Sequence, residues 1–137
     1  MSRGYRQIDH TADIALELWG DSEAELLIAG ARAITDILTD GAEVAERAAR
    51  EISIDAMDGA DRLVQWLNEI IVAAVADGFL FGGGEIVLDG ASGLHARARG
   101  EADGHARVVA ELKSATYHDL MIEGDADGWR ARVVIDV

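Results

Sequence analysis

The hydrophobic pattern of this chain switches between a period of two and a period of 3.6 within its first eighty residues, and that switching constrains the fold more than any other feature. Residues 12–19 alternate, with Ala12, Ile14, Leu16 and Leu18 on one face and Asp13, Ala15, Glu17 and Trp19 on the other, the mark of a strand with one buried face. Gly20 and Asp21 end it. Ser22, followed three residues on by Glu25, forms a capping box. Leu27, Ala31, Ile34 and Leu38 then recur at helical spacing, which predicts a helix from about Glu23 to Thr39. Period two returns in "REISIDAM", through Ile52, Ile54 and Ala56. The segment "DGADRLVQWLNEIIVAAVADG" predicts a second helix. Asp58 caps it, Asp61 sits in the first turn where the helix dipole favours a carboxylate, and Leu63, Leu67, Ile70 and Ala74 form its buried stripe. Gly78 closes it.

Beyond residue 78 the texture is β. "FLFGGGEIVLDG" and "GLHARARGEAD" predict short strands separated by glycine-rich turns, with Leu94, Ala96 and Ala98 facing inward and His95, Arg97 and Arg99 outward. "ARVVAELKSATYHDLMIE" reads as strand to about Lys113. "GDADG" (124–128) reads as a hairpin loop. A last strand alternates Trp129, Ala131, Val133 and Ile135 against Arg130, Arg132, Val134 and Asp136. An order of β-α-β-α followed by several strands is solved by an α+β fold, two helices on one side of a mostly antiparallel sheet, in a single domain over residues 1–137.

Composition narrows the function. Half of the residues are hydrophobic, so the chain can build a core despite a formal net charge of -14. That acidity repels phosphate backbones, argues against direct nucleic-acid binding, and suits a basic protein partner or a divalent cation. It also serves solubility alone, as in a salt-tolerant source. No apolar stretch reaches the roughly 18–20 residues that cross a bilayer. "MSRGYRQIDH" lacks the apolar core of a signal peptide. The expectation is a cytoplasmic protein with no membrane partner. Cysteine is absent, which removes disulfides, thiolate chemistry and zinc–sulfur sites. Proline is absent too, leaving turns to Gly, Asp and Asn.

Several motifs fail on inspection. The triple glycine of "FGGGEIV" has no Lys-Ser/Thr ending and no helix after it, so it is read as a flexible hairpin turn and not a phosphate loop. "DADG" near residue 125 lacks the glutamate of a calcium loop, since residue 134 is valine, and its flanks are β. Four histidines occur, His10, His95, His105 and His118. Thr11, Thr116 and Tyr117 neighbour two of them in sequence only, and no nucleophile–base arrangement follows from that, so no stand-alone catalysis is expected. Three aspartates stand at element ends: Asp13 and Asp136 on the less apolar faces of the first and last strands, and Asp61 at a helix start. Were they to converge, they would offer hard oxygen ligands suited to Ca²⁺, Mg²⁺ or Mn²⁺, with the terminal carboxylate of Val137 as a further donor. Taken singly, each also has an ordinary structural reading, Asp61 as a helix-start residue and Asp136 as a solvated strand end. Lys113 has one too, as a solvated strand residue, and His10 and His118 as backbone-bonding loop histidines.

Four stretches taken together carry a resemblance. "IDHTADIALELWG", "DRLVQWLNEII", "LKSATYHDL" and the terminal "VIDV" resemble, in order, spacing and chain length, the archease family. The resemblance spans essentially the whole chain. It implies a small acidic cofactor of the GTP-dependent tRNA-splicing RNA ligase, which promotes guanylylation of that ligase and its repeated turnover. The alternative is a general chaperone-like modulator of RNA-processing enzymes without metal chemistry. The resemblance assigns metal ligation to Asp13, Asp61 and Asp136, with Ca²⁺ as the first expectation and Mg²⁺ or Mn²⁺ as alternatives. It assigns the activating role to Lys113. His10 and His118 fall inside matching motifs and, with Val137, count as supporting candidates. Two departures stand out: Ser114 follows Lys113 where the family usually has alanine, and the segment around Gly82–Gly84 is unusually rich in glycine.

Overall fold

The computed structural model describes residues 2–9 and 13–137. Its elements are β1 (Gly4–Asp9), β2 (Asp13–Gly20), α1 (Glu23–Thr39), β3 (Ala48–Asp55), α2 (Gly59–Asp77), β4 (Leu80–Asp89), β5 (Gly93–Glu101), a short 3₁₀ turn (His105–Arg107), β6 (Ser114–Ala115), β7 (Met121–Asp125) and β8 (Gly128–Asp136). The fold class is α+β, as the periodicity predicts. The strands divide between two antiparallel sheets rather than one. The larger has the order β1-β2-β8-β6 with β7 also on β8, and the smaller has the order β3-β5-β4.

Both helices start and stop where the sequence signals lie. Ser22 Oγ accepts from the Glu25 backbone N–H at 3.1 Å. The capping box is only half formed, because the Glu25 carboxylate pairs with Arg3 at 2.9 Å. Asp58 Oδ1 accepts from the Asp61 N–H at 2.8 Å, and Gly78 closes α2 in the left-handed region at φ 68°. Leu27, Ala31, Ile34 and Leu38 of α1, and Leu63, Leu67, Ile70 and Ala74 of α2, are all buried. They join the inward residues of both sheets, including Leu16, Leu18, Leu94, Ala96, Val133 and Ile135, in one core. Trp66 fixes the helix pair: its indole N–H donates to Leu27 O at 2.7 Å, and its ring meets Phe81 edge-on at 6.1 Å.

Two local expectations are corrected, and one strand appears that no expectation covered. First, the triple glycine is not a turn. Gly82, Gly83 and Gly84 lie inside β4, at a register shift between Phe81 and Gly83. The physical reason is close approach: a Cβ on Gly84 would lie 2.4 Å from Arg97 O of β5. The turn between β4 and β5 comes later, at residues 90–92, where Gly90 has φ 65°. Second, residues 108–113 are not a strand. Val109 and Ala110 direct their N–H groups to Leu38 O at 2.7 and 3.3 Å, so this segment satisfies a carbonyl in the last turn of α1 instead of a sheet neighbour. Third, β1 is a strand with no hydrophobic alternation strong enough to announce it. It is an edge strand paired with β2 from Gly4–Trp19 to Asp9–Ile14, and edge positions tolerate polar residues on both faces. Its Tyr5 donates a hydrogen bond to Asp36 of α1.

The start of α2 is held by Arg62, which is 2% exposed. Its guanidinium donates to Glu23 at 2.6 Å and to the carbonyls of Gly90 and Gly93 at 3.0 and 2.9 Å. The two helix N-termini and the β4–β5 turn are thereby tied to one side chain. No helix among the described residues is long and apolar enough to cross a membrane.

Candidate functional site

The β2–β8 ladder decides where two of the three aspartates go. Its register places Asp13 directly opposite Asp136. Opposed residues of an antiparallel pair share a face with their Cβ atoms about 5 Å apart, and like charges there destabilise the pair. Neither carboxylate has a hydrogen bond or ion pair with any described residue. On the other side of β8, Ser114 of β6 is the register partner of Asp136, and the Lys113 N–H donates to Asp136 O at 2.9 Å. Lys113 is exposed, and its ammonium has no ion pair among the described residues.

β6 has only two residues, and its place depends on α2. Asn68 Oδ1 accepts from the Ala115 N–H at 2.7 Å, while Asn68 Nδ2 donates to Ala115 O at 3.4 Å. Thr116 then donates from both its N–H and its hydroxyl to Val134 O, at 2.9 Å each. The "KSATYH" segment is therefore clamped between α2 and β8. Asn68 was not singled out from the sequence, although it lies inside the "DRLVQWLNEII" stretch. An asparagine on a helix at a sheet edge was the available signal.

Asp61 enters through this clamp. Its Oδ1 accepts from the Tyr117 hydroxyl at 2.5 Å, and its Oδ2 accepts from the Met57 N–H at 2.9 Å and from Gln65 Nε2 at 2.8 Å. The Tyr117 hydroxyl first, and then the Met57 N–H and Gln65, hold the Asp61 carboxyl below the usual carboxylate range. The same bond, donated to an anion, pushes the Tyr117 phenol above its ordinary value. Asp61 is thus ionised and well anchored.

Asp13 and Asp136 face each other directly, and Asp61 is bonded to Tyr117, two residues beyond the strand that flanks Asp136. Among the described residues, however, no three carboxylate or imidazole groups stand together as a metal ion would require. Carboxylate oxygens are the donor type a hard divalent cation takes, but the Asp13–Asp136 pair alone does not complete its shell. Asp61, as placed, is engaged elsewhere. His118 is exposed, with Nε2 3.3 Å from its neighbour Asp119, and has no hydrogen bond or ion pair with Asp13, Asp61 or Asp136. Val137 follows Asp136 and is 45% exposed. His10 lies outside the described residues.

One histidine pairing was invisible in the sequence. His95 Nδ1 lies 3.0 Å from Ser53 Oγ across the β3–β5 ladder, and Nε2 lies 4.0 Å from Glu51. The imidazole is 58% exposed on an open strand face, where water is not excluded and nucleophilic catalysis gains little from the charge arrangement.

The fold and the β2–β8 register define a small acidic α+β protein with two opposed aspartates at one end of a sheet. The archease protein family (MTH1598/TM1083) matches the chain over residues 5–137. The protein archease of Methanopyrus kandleri is 34% identical over 139 residues, covering 97% of this chain and 99% of its own length. That of Archaeoglobus fulgidus is 32% identical, covering 97% and 98%. Among solved structures, protein 1598 of Methanobacterium thermoautotrophicum superposes with a TM-score of 0.78 at 27% identity, covering 98% of this chain and 99% of that one. An archease from Thermotoga maritima, described as a possible chaperone, gives a TM-score of 0.58 at 26% identity, covering 96% of each chain. The chain belongs to the archease family.

Proposed function

We propose that this archease is a metal-dependent protein cofactor that activates the GTP-dependent tRNA-splicing RNA ligase, promoting its guanylylation and repeated turnover. The observation that carries the reading is the juxtaposition of Asp13 and Asp136 across the β2–β8 ladder, with Lys113 just before β6 and its N–H on Asp136 O. Two opposed carboxylates without a counter-charge favour a divalent cation between them. Asp13 and Asp136 would hold Ca²⁺, or Mg²⁺ or Mn²⁺, with Asp61 as third ligand. The bound ion would supply positive charge where nucleotide phosphates gather in the ligase pocket. Lys113, exposed beside the cluster, is placed to meet a phosphate or a ligase carboxylate. The acidic surface steers the protein towards a basic groove. Activation follows if the loaded protein binds the ligase conformation competent for nucleotidyl transfer more tightly than the others.

The test is multiple-turnover RNA ligation by the ligase with GTP. Asp13→Ala should abolish both calcium binding and stimulation while leaving the circular-dichroism spectrum unchanged. Full stimulation by that variant would end the metal-site mechanism. The chaperone description of the Thermotoga relative favours a second reading, protection of RNA-processing enzymes from aggregation. Chelator-treated protein separates the two, assayed at a ligase concentration where nothing aggregates: the chaperone reading alone leaves stimulation intact.

A further inference from the structure

The outer face of the larger sheet carries two apolar side chains that the core does not use. Strand register sets that face out in rows: Arg6, Glu17, Arg132 and Met121 in one, and Gly4, Trp19, Arg130 and Glu123 in the next. Trp19 is only partly buried, Met121 is 37% exposed, and neither belongs to the hydrophobic core. The Trp19 ring lies against β1, where a Cβ on Gly4 would come within 2.3 Å of it. Beside it the sheet bears a groove of about 410 Å³, whose walls are Glu17, Trp19, Met121, Arg130 and Arg132. A concave site with an apolar lining and a few placed polar groups is the form of a small-molecule pocket, and this volume lies in the usual range.

The charges of the groove do not balance. The Glu17 carboxylate accepts from Arg6, and the Glu123 carboxylate accepts from Arg130. Arg132 is partly buried and has no hydrogen bond or ion pair among the described residues. One guanidinium is left over, in a chain whose formal net charge is -14. A partly dehydrated group with five donors and no partner favours an anion beside it.

We propose that this groove binds a small anion with a planar ring, its phosphate or carboxylate on Arg132 and its ring on Trp19 and Met121. The net charge selects for size. A polyanion meets the whole acidic surface and is repelled. A small anion responds chiefly to the nearest charges, because the screening length is about 8 Å at physiological salt. The site is independent of the aspartate pair: on this face Asp13 and Asp136 lie beyond the intervening Ala15–Val134 row.

The test is isothermal titration of the intact protein with adenosine 5′-monophosphate and, separately, with indole-3-acetate, which distinguishes a phosphate source from a carboxylate one. Binding of either supports the site, and the tighter of the two names the anion. The Trp19 indole N–H resonance should shift in NMR at the midpoint of the heat signal. Arg132→Gln should weaken binding about 10-fold or more, the cost of a lost hydrogen bond to a charged group. Arg130→Gln removes a guanidinium already held by Glu123 and should change binding by less than about 3-fold. Absence of binding of either probe at millimolar concentration overturns the proposal, and that measurement on the wild type stands whether or not a variant folds. Equal weakening by both arginine variants also overturns it, since the groove would then be a diffuse basic patch. So does binding that leaves the Trp19 resonance unmoved.

Discussion

At the scale of single residues, the central fact is that Asp13 and Asp136 face each other across the β2–β8 ladder, neither paired with a Lys or Arg side chain among the described residues. Directly opposed like charges cost a strand pair roughly 0.2–1 kcal/mol. In chelator-treated protein, Asp136→Asn should therefore raise the stability measured by urea unfolding by a few tenths of a kcal/mol (about 0.2–1). The same variant should lose the calcium-induced rise in melting temperature expected of the wild type. A clear loss of stability in the metal-free variant would mean that the Asp136 carboxylate supports the fold itself. The acids were legible as candidates because they interrupt an otherwise apolar pattern at element ends. That Asp13 meets Asp136, 123 positions away by difference of their numbers, was not legible, because strand register is set by the ladder and not by local composition. The Tyr117–Asp61 bond was hidden for the same reason.

At the scale of elements, the two helices were readable almost to the residue, since caps and a 3.6-residue period are local signals. The start of α2 and the β4–β5 turn depend on Arg62, a position that no local pattern marks. Its removal should be costly. Arg62→Ala leaves the Glu23 carboxylate, 11% exposed, without its partner and strips two carbonyls of their donor. Breaking a buried pair by truncating one side costs about 3–5 kcal/mol. Urea unfolding should show a loss of that order, and a loss below about 1 kcal/mol would mean that water replaces the guanidinium readily. The β elements were less legible. The triple glycine carries a local turn signal, yet it is drawn into β4 because β5 passes too close for a side chain at Gly84. The apolar run at 108–112 imitates a strand, yet it is spent on the end of α1, with Val109 left 68% exposed. Only Leu112 of that run is buried.

At the scale of the whole molecule, a net charge of -14 sets a long-range self-repulsion against short-range ion pairs such as Arg50–Asp77 and Arg99–Glu46. Raising NaCl from about 0.1 to about 1 M shortens the screening length from about 10 to about 3 Å. The repulsion is lost before the pairs are, so the urea midpoint should rise with salt. A midpoint that falls would show that the surface pairs outweigh the net charge. Local periods and caps were enough for the fold class, both helices with their caps, and the inward faces of β2, β5 and β8. All of these follow from periods and signals that span a few residues. Only the tertiary structure decided that the strands form two sheets, that Asp13 meets Asp136, and that Tyr117 stands on Asp61. These depend on which strand finds which partner, and that choice is made by the packing of segments far apart in the chain, where no local pattern reaches.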